Sequence, residues 1–217
     1  MEAQARARDR GTGVNIAGVR WGPLSLGTRD RLLAAARRSP LTYDHEGSTL
    51  DPSRRTAPGV RSHHLDVGVG SADFAAARAA LRTWVPQRGI SALIEPQGQP
   101  VVPGASVLVV LRCGPFSVVA PDRIVAVIDE PRHFAFAYGT LPGHPERGEE
   151  SFSVEHRSDD IVWATIRVQA EAATLLARAG APAVRWLQTA ALRRYLAAVA
   201  DHVRADRASR IAGDLKP

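Results

Sequence analysis

Between Ala105 and Ala170 the chain offers six short runs in quick succession, 105–112, 116–120, 123–130, 133–140, 149–156 and 161–170, each β-branched or aromatic and most parted by a turn. Runs of this kind read as strands, and links this short predict antiparallel neighbours. The period then changes. Val184, Leu187, Ala191, Leu192, Tyr195, Val199 and Val203 recur at helical spacing, and Pro182 falls in the first turn, where a helix accepts it. A sheet must cover that apolar stripe. The predicted class is therefore α+β, an antiparallel curved sheet wrapped around a long C-terminal helix, with a ligand-sized cavity expected between the two.

The first hundred residues add less. Thr28 is expected to cap a short helix that runs to Arg38, before Pro40. Loose alternation from Val60 to Val69 predicts a strand. Ser71 is then expected to cap a helix to about Val85, with Asp73 in its first turn and Phe74, Ala77, Leu81 and Trp84 on one face. Residues 1–20 lack periodicity and read as a loosely attached leader, 21–206 as a single domain, and 207–217 as a tail.

Composition excludes more than it assigns. At 217 residues and 45% hydrophobic content, one sizeable core is possible and no second domain is required. The net charge of +6 rests almost wholly on arginine, since Lys216 is the only lysine among 28 basic residues. With abundant alanine this has the look of a GC-rich genome, and no motif gathers the charge into a nucleic-acid surface. Cys113 stands alone, so neither an intrachain disulfide nor a cysteine-based zinc site is expected, which fits a reducing cytoplasm. No apolar run approaches the length of a membrane-spanning helix.

Chemistry concentrates in Tyr138–Phe152, a polar stretch stiffened by Gly139, Pro142, Gly143, Pro145 and Gly148. Alternation puts Phe134, Phe136 and Tyr138 on one side of the entering strand. Glu150, Phe152 and Val154 share a side of the leaving strand, and Glu149 points the other way. Two roles are open for Glu150: holding the loop through its amides, or carrying a proton from a partly desolvated position with a raised pKa. His144 and Glu146 sit near Glu149 and Glu150, but one histidine with carboxylates is a weak metal signal, and His63 and His64 face opposite ways on a strand. No metal and no cofactor is expected. No nucleotide loop, nucleophile elbow or HExxH pair occurs.

The Tyr138–Gly–Thr–Leu–Pro–Gly–His–Pro–Glu146 segment, with Arg123–Pro131 before it and Arg193-Arg194-Tyr195-Leu196 after it, resembles an uncharacterised bacterial and plant family marked by that loop. Leu41-Thr42-Tyr43, Gly47, the Phe74–Trp84 helix and Pro103-Gly104 fit as well, so the resemblance spans roughly residues 24–200. It implies a START-like, birch-pollen-allergen-like helix-grip fold, in agreement with the layout read from periodicity, and implies no activity. The chain departs from the family pattern at Asp122, where the pattern has a cysteine.

The expected function is binding of a hydrophobic or amphipathic small molecule, lipid or polyketide-like, in a sheet–helix cavity gated by residues 138–150. Tyr43, Tyr138, Thr140, His144, Glu146, Glu150 and Trp163 are the candidate ligand-binding residues, and no residue is assigned a catalytic role. Tyr43 and Tyr138 each carry a hydroxyl that can serve a ligand or only cap the core. Trp163 either covers the outside of the sheet or joins a mixed wall facing the ligand. The alternatives are an enzyme doing acid–base chemistry in the same cavity, such as cyclisation, dehydration or hydrolysis, and a module docking an acidic partner.

Overall fold

The computed structural model describes residues 18–54, 59–172 and 181–214. The side chains of Val184 and Leu187, and residues 1–17 and 215–217 of the expected leader and tail, lie outside the described residues. In chain order the elements are β1 (Val19–Trp21), α1 (Leu26–Arg38), a 3-10 turn (Pro52–Arg54), β2 (Arg61–Val69), α2 (Gly70–Arg82), α3 (Val85–Gly89), β3 (Leu93–Glu95), β4 (Ser106–Cys113), β5 (Phe116–Glu130), β6 (His133–Thr140), β7 (Glu146–His156), β8 (Ile161–Ala172) and α4 (Ala181–Asp214).

Every pairing is antiparallel, in the order β2-β8-β7-β6-β5-β4-β3 with β1 added to β5. Alternation divides the sheet into two faces. The inner face presents Val107, Val109, Ala120, Ile124, Phe134, Phe136, Tyr138, Phe152, Val154, Ala164, Ile166 and Val168 to one core. α2 contributes Phe74 and Leu81 to that core, and α4 contributes Leu192, Tyr195, Leu196, Val199 and Val203. This is the expected α+β helix-grip arrangement. Phe136 and Phe152 are 0% and 1% exposed, each burial being worth about 2–3 kcal/mol. Ring contacts Trp84–Phe136 (5.4 Å), Phe136–Phe152 (5.2 Å) and Phe152–Tyr195 (5.5 Å) fill the middle of the grip.

Among the described residues the outer face is covered in part. α1 lays Leu33 over Leu108, Val110 and Val119, and Arg123, pointing the same way, closes the end of α1 by donating to the carbonyls of Ala36 (2.8 Å) and Ser39 (2.9 Å).

Several boundaries differ from expectation. Ser25, not Thr28, caps α1, its hydroxyl accepting from the Thr28 amide at 3.3 Å. α2 starts at Gly70 without a side-chain cap of its own; Asp73 instead reaches back to accept the Val69 amide at 2.9 Å. Asp73 also binds Arg207 and, at 2.7 Å, Arg210. Residues 207–214, read as tail, therefore continue α4 and fasten it to α2. The runs 116–120 and 123–130 form a single strand. Pro121 does not break it, because its missing N–H faces the side where β6 has already ended, at Thr140 opposite Asp122. β1 and β3, three residues each, are too short to show a period.

Candidate functional site

The turn joining β6 to β7 is shorter than the Tyr138–Glu150 loop expected from sequence. β6 runs through Thr140 and β7 begins at Glu146, leaving residues 141–145 as the turn. Tyr138 lies directly across from Glu150, and Gly139 across from Glu149. Consecutive residues on a strand face opposite ways, so two neighbouring carboxylates enter two different environments.

Glu149 faces outward but is only 2% exposed, because the segment from Thr42 to Leu50 straps across the outer face. One carboxylate oxygen accepts from the Tyr43 hydroxyl (2.6 Å) and the Gly47 amide (2.7 Å). The other accepts from the Thr49 amide (2.8 Å) and hydroxyl (2.5 Å). Glu149 thus holds the strap through its backbone amides, while Glu150 accepts from the Tyr138 hydroxyl. Tyr43 packs against Gly139, where a Cβ would sit 2.2 Å from its hydroxyl oxygen. Burial foremost, then the bond to Glu149, raises the Tyr43 pKa. Thr140 is engaged at the same end: its hydroxyl accepts the Gly148 amide (2.9 Å) and shares a 2.5 Å hydrogen bond with the Thr42 hydroxyl. Trp163 also lies outside, stacked on His64 at 4.7 Å with the Arg157 guanidinium 4.6 Å from its ring centre. Tyr43 and Trp163 are therefore separated by the sheet from Tyr138 and Glu150.

The inner face holds a different group. The Tyr138 hydroxyl donates to Glu150 at 2.5 Å. Ile124 pairs with Tyr138 and Asp122 pairs with Thr140, so Asp122 faces inward beside them. Asp122 is 1% exposed and neither of its carboxylate oxygens has a hydrogen-bond partner. His144 stands over it, its Nε2 at 3.7 Å from Oδ1, too long for a hydrogen bond. The His144 Nδ1 lies 2.8 Å from the Glu146 amide nitrogen and 3.0 Å from the Glu146 carbonyl oxygen, so the backbone of Glu146 holds the ring over Asp122.

Burial dominates the titration of this corner. Burial, then Glu150 and Glu146, pushes the Asp122 carboxyl well above the carboxylate range. Burial likewise raises Glu146, with Arg61 opposing. Glu150 is raised to about 7, by burial first and Glu146 in addition, against the Tyr138 hydrogen bond and Arg61. Burial lowers His144 to about 4, so its ring is neutral at neutral pH. Tyr195 on α4 faces the same cluster, its pKa raised well above normal by burial and by Glu150, Asp122 and Glu146. Arg61, His144, Glu146 and Glu150 are each half-buried, so the corner opens outward.

Asp122, Tyr195 and Arg61 were not among the sequence candidates. Counting back by two from Ile124 puts Asp122 on the inner face, a signal hidden by reading Pro121-Asp122 as a turn. Two surface depressions lie elsewhere: one of about 540 Å³ beside Phe74, Arg78 and Arg82, and one of about 170 Å³ beside Leu24, Arg29 and Glu95. Among the described residues no three His, Cys, Asp or Glu side chains are grouped to hold a metal ion, and no helix is long and apolar enough to cross a membrane.

Comparison with known proteins gives the same fold and a family. A crystal structure of the hypothetical protein jhp0584 from Helicobacter pylori superposes with a TM-score of 0.54 at 11% identity, covering 76% of this chain and 99% of that one. A UPF0548 protein of Deinococcus radiodurans is 33% identical over 183 residues, 75% of this chain and 87% of that protein. A UPF0548 protein of Arabidopsis thaliana is 30% identical over 145 residues, 64% of this chain and 70% of that protein. The family model described as a domain of unknown function, DUF1990, matches residues 42–198, from the strap to α4, and the chain belongs to that family.

Proposed function

We propose that the inner corner of the sheet binds an amphipathic small molecule, its polar end at Asp122 and Glu150 and its apolar part along Phe152 and Val168. The observation that carries this reading is Asp122: a carboxyl 1% exposed with both oxygens unpartnered. Buried polar groups are nearly always satisfied, and one that is not marks a place where a partner is missing. The half-buried rim of Arg61, His144, Glu146 and Glu150 provides the entry, and a few convergent polar groups beside an apolar wall are the usual makeup of a ligand site.

The test is mass spectrometry of the freshly purified native protein beside its denatured extract. A stoichiometric small molecule that is lost in Asp122→Asn supports the reading. An empty protein whose Trp84 emission does not respond to added amphiphiles overturns it, since Trp84 packs 6.4 Å from the Tyr138 ring.

A second reading, acid–base catalysis, is favoured by Glu150 itself. A carboxyl near 7 that accepts a phenolic hydrogen bond is suited to exchange a proton at neutral pH. Turnover of a bound molecule that follows a pH profile and disappears in Glu150→Gln would separate an enzyme from a carrier.

A further inference from the structure

The groups facing the corner come from every element around it. Asp122 on β5 and Glu146 and Glu150 on β7 supply carboxyls. Tyr138 on β6 already donates to Glu150, and Tyr195 on α4 adds a second phenol. His144 in the turn spends Nδ1 on the backbone of Glu146. Among the described residues Arg61 on β2 is the one cation that opposes the ionised forms of Glu146 and Glu150. The corner is therefore rich in carboxyls and negative when they ionise.

Such a place selects its ligand by charge. An anion would add to the repulsion. A neutral alcohol offers one donor and no charge to stabilise the carboxyls once they ionise. A metal ion needs ligands converging on one point, and no such grouping occurs among the described residues. A protonated amine brings both a positive charge and several N–H donors in a small volume, which matches two unpartnered oxygens on Asp122 with Glu150 beside them. We infer that the polar end of the ligand is a protonated amine, seated between Asp122 and Glu150 with its carbon chain against the apolar wall. This rests on the reading of the corner as an amphiphile site. Burial holds protons on these carboxyls in the empty protein, so a bound ammonium would ionise them and release protons to solvent.

Three probes sharing one chain isolate the head group: decylamine, decanol and decanoate, titrated calorimetrically into the full chain in buffers of different ionisation enthalpy. Decylamine is expected to bind at least about tenfold more tightly than decanol, with proton release, and decanoate no better than decanol. Asp122→Asn is expected to remove about tenfold of the amine affinity and leave decanol within about twofold. If that variant fails to fold, Glu150→Gln is read in its place. Decanol binding as tightly as decylamine, or an amine affinity unmoved by the substitution, overturns the inference while the amphiphile site stands. Failure of all three probes to bind overturns both.

Discussion

Glu150→Gln is the substitution in which the inner corner makes a prediction against intuition. The carboxyl is raised from 4.5 to about 7 in the folded chain, a difference worth about 3 kcal/mol at 1.36 kcal/mol per pKa unit. The sign follows from proton binding: between these values the folded state holds more protons than the unfolded one. Its contribution is most favourable below about pH 4.5, is lost as pH rises towards 7, and is flat above. Glutamine keeps the length and an oxygen that accepts the Tyr138 hydroxyl, and it cannot ionise. The variant is therefore expected to match the natural chain at low pH and to exceed its stability by up to about 3 kcal/mol at about pH 8. For a chain of this size that is a rise in Tm of roughly 6–12 °C. The assay is thermal or urea unfolding of both proteins across the pH range, read as the difference between them so that other titrating groups cancel. Asp122 and Glu146 are shifted in the same direction, so the midpoint belongs to the cluster and not to one residue. A variant less stable at about pH 8, or a difference that does not change with pH, refutes the reasoning.

The neighbouring substitution should do the opposite. Glu149→Gln places an amide among four donors that a carboxylate now satisfies and is expected to cost about 2–4 kcal/mol in urea unfolding. Gly139→Ala drives a methyl into Tyr43 and should cost about 1–3 kcal/mol, a cost that disappears in a Tyr43→Ala background if the clash is the cause. Asp73→Ala releases the Val69 amide and the Arg207 and Arg210 contacts; because both arginines are 40% exposed or more, the loss should be about 1–2 kcal/mol, with hydrogen exchange rising first at the C-terminal end of α4.

Legibility from sequence followed the strength of the local pattern. Phe134-Ala-Phe-Ala-Tyr138 alternates cleanly, the run 133–140 matches β6 at both ends, and Phe134, Phe136 and Tyr138 share the face that the core covers. α4 declared itself through its period, but the arginines that extend its role, 207 and 210, find a partner in Asp73, far away in sequence, and no local signal joins them. Pro121 hid the continuity of β5, and with it the inward position of Asp122. The strap was the largest omission. Tyr43, Gly47 and Thr49 have no period of their own; they are organised by a carboxylate about a hundred residues later, and that is tertiary information. Alternation put Tyr138 and Glu150 each on a side of its own strand, but their direct pairing depends on a turn shorter than the expected loop, which the sequence did not show.

That register is also what the strap protects. Glu149 can meet the Gly47 and Thr49 amides only by facing outward, and its doing so obliges Glu150 to face inward. A slip of β7 by one residue would either set Gly148 in the place of Glu149, tearing four hydrogen bonds from the strap, or set Ser151 in the place of Glu150, taking that carboxyl from the corner, and both would turn Phe152 out of the core. The outer clasp thus acts as a ratchet tooth for the inner site. Insertions or deletions in the 141–145 turn should be tolerated only when they leave the two glutamates on their present sides, and the chemistry of the inner face can be retuned without cutting the strap loose, provided the change falls at 150 and not at 149.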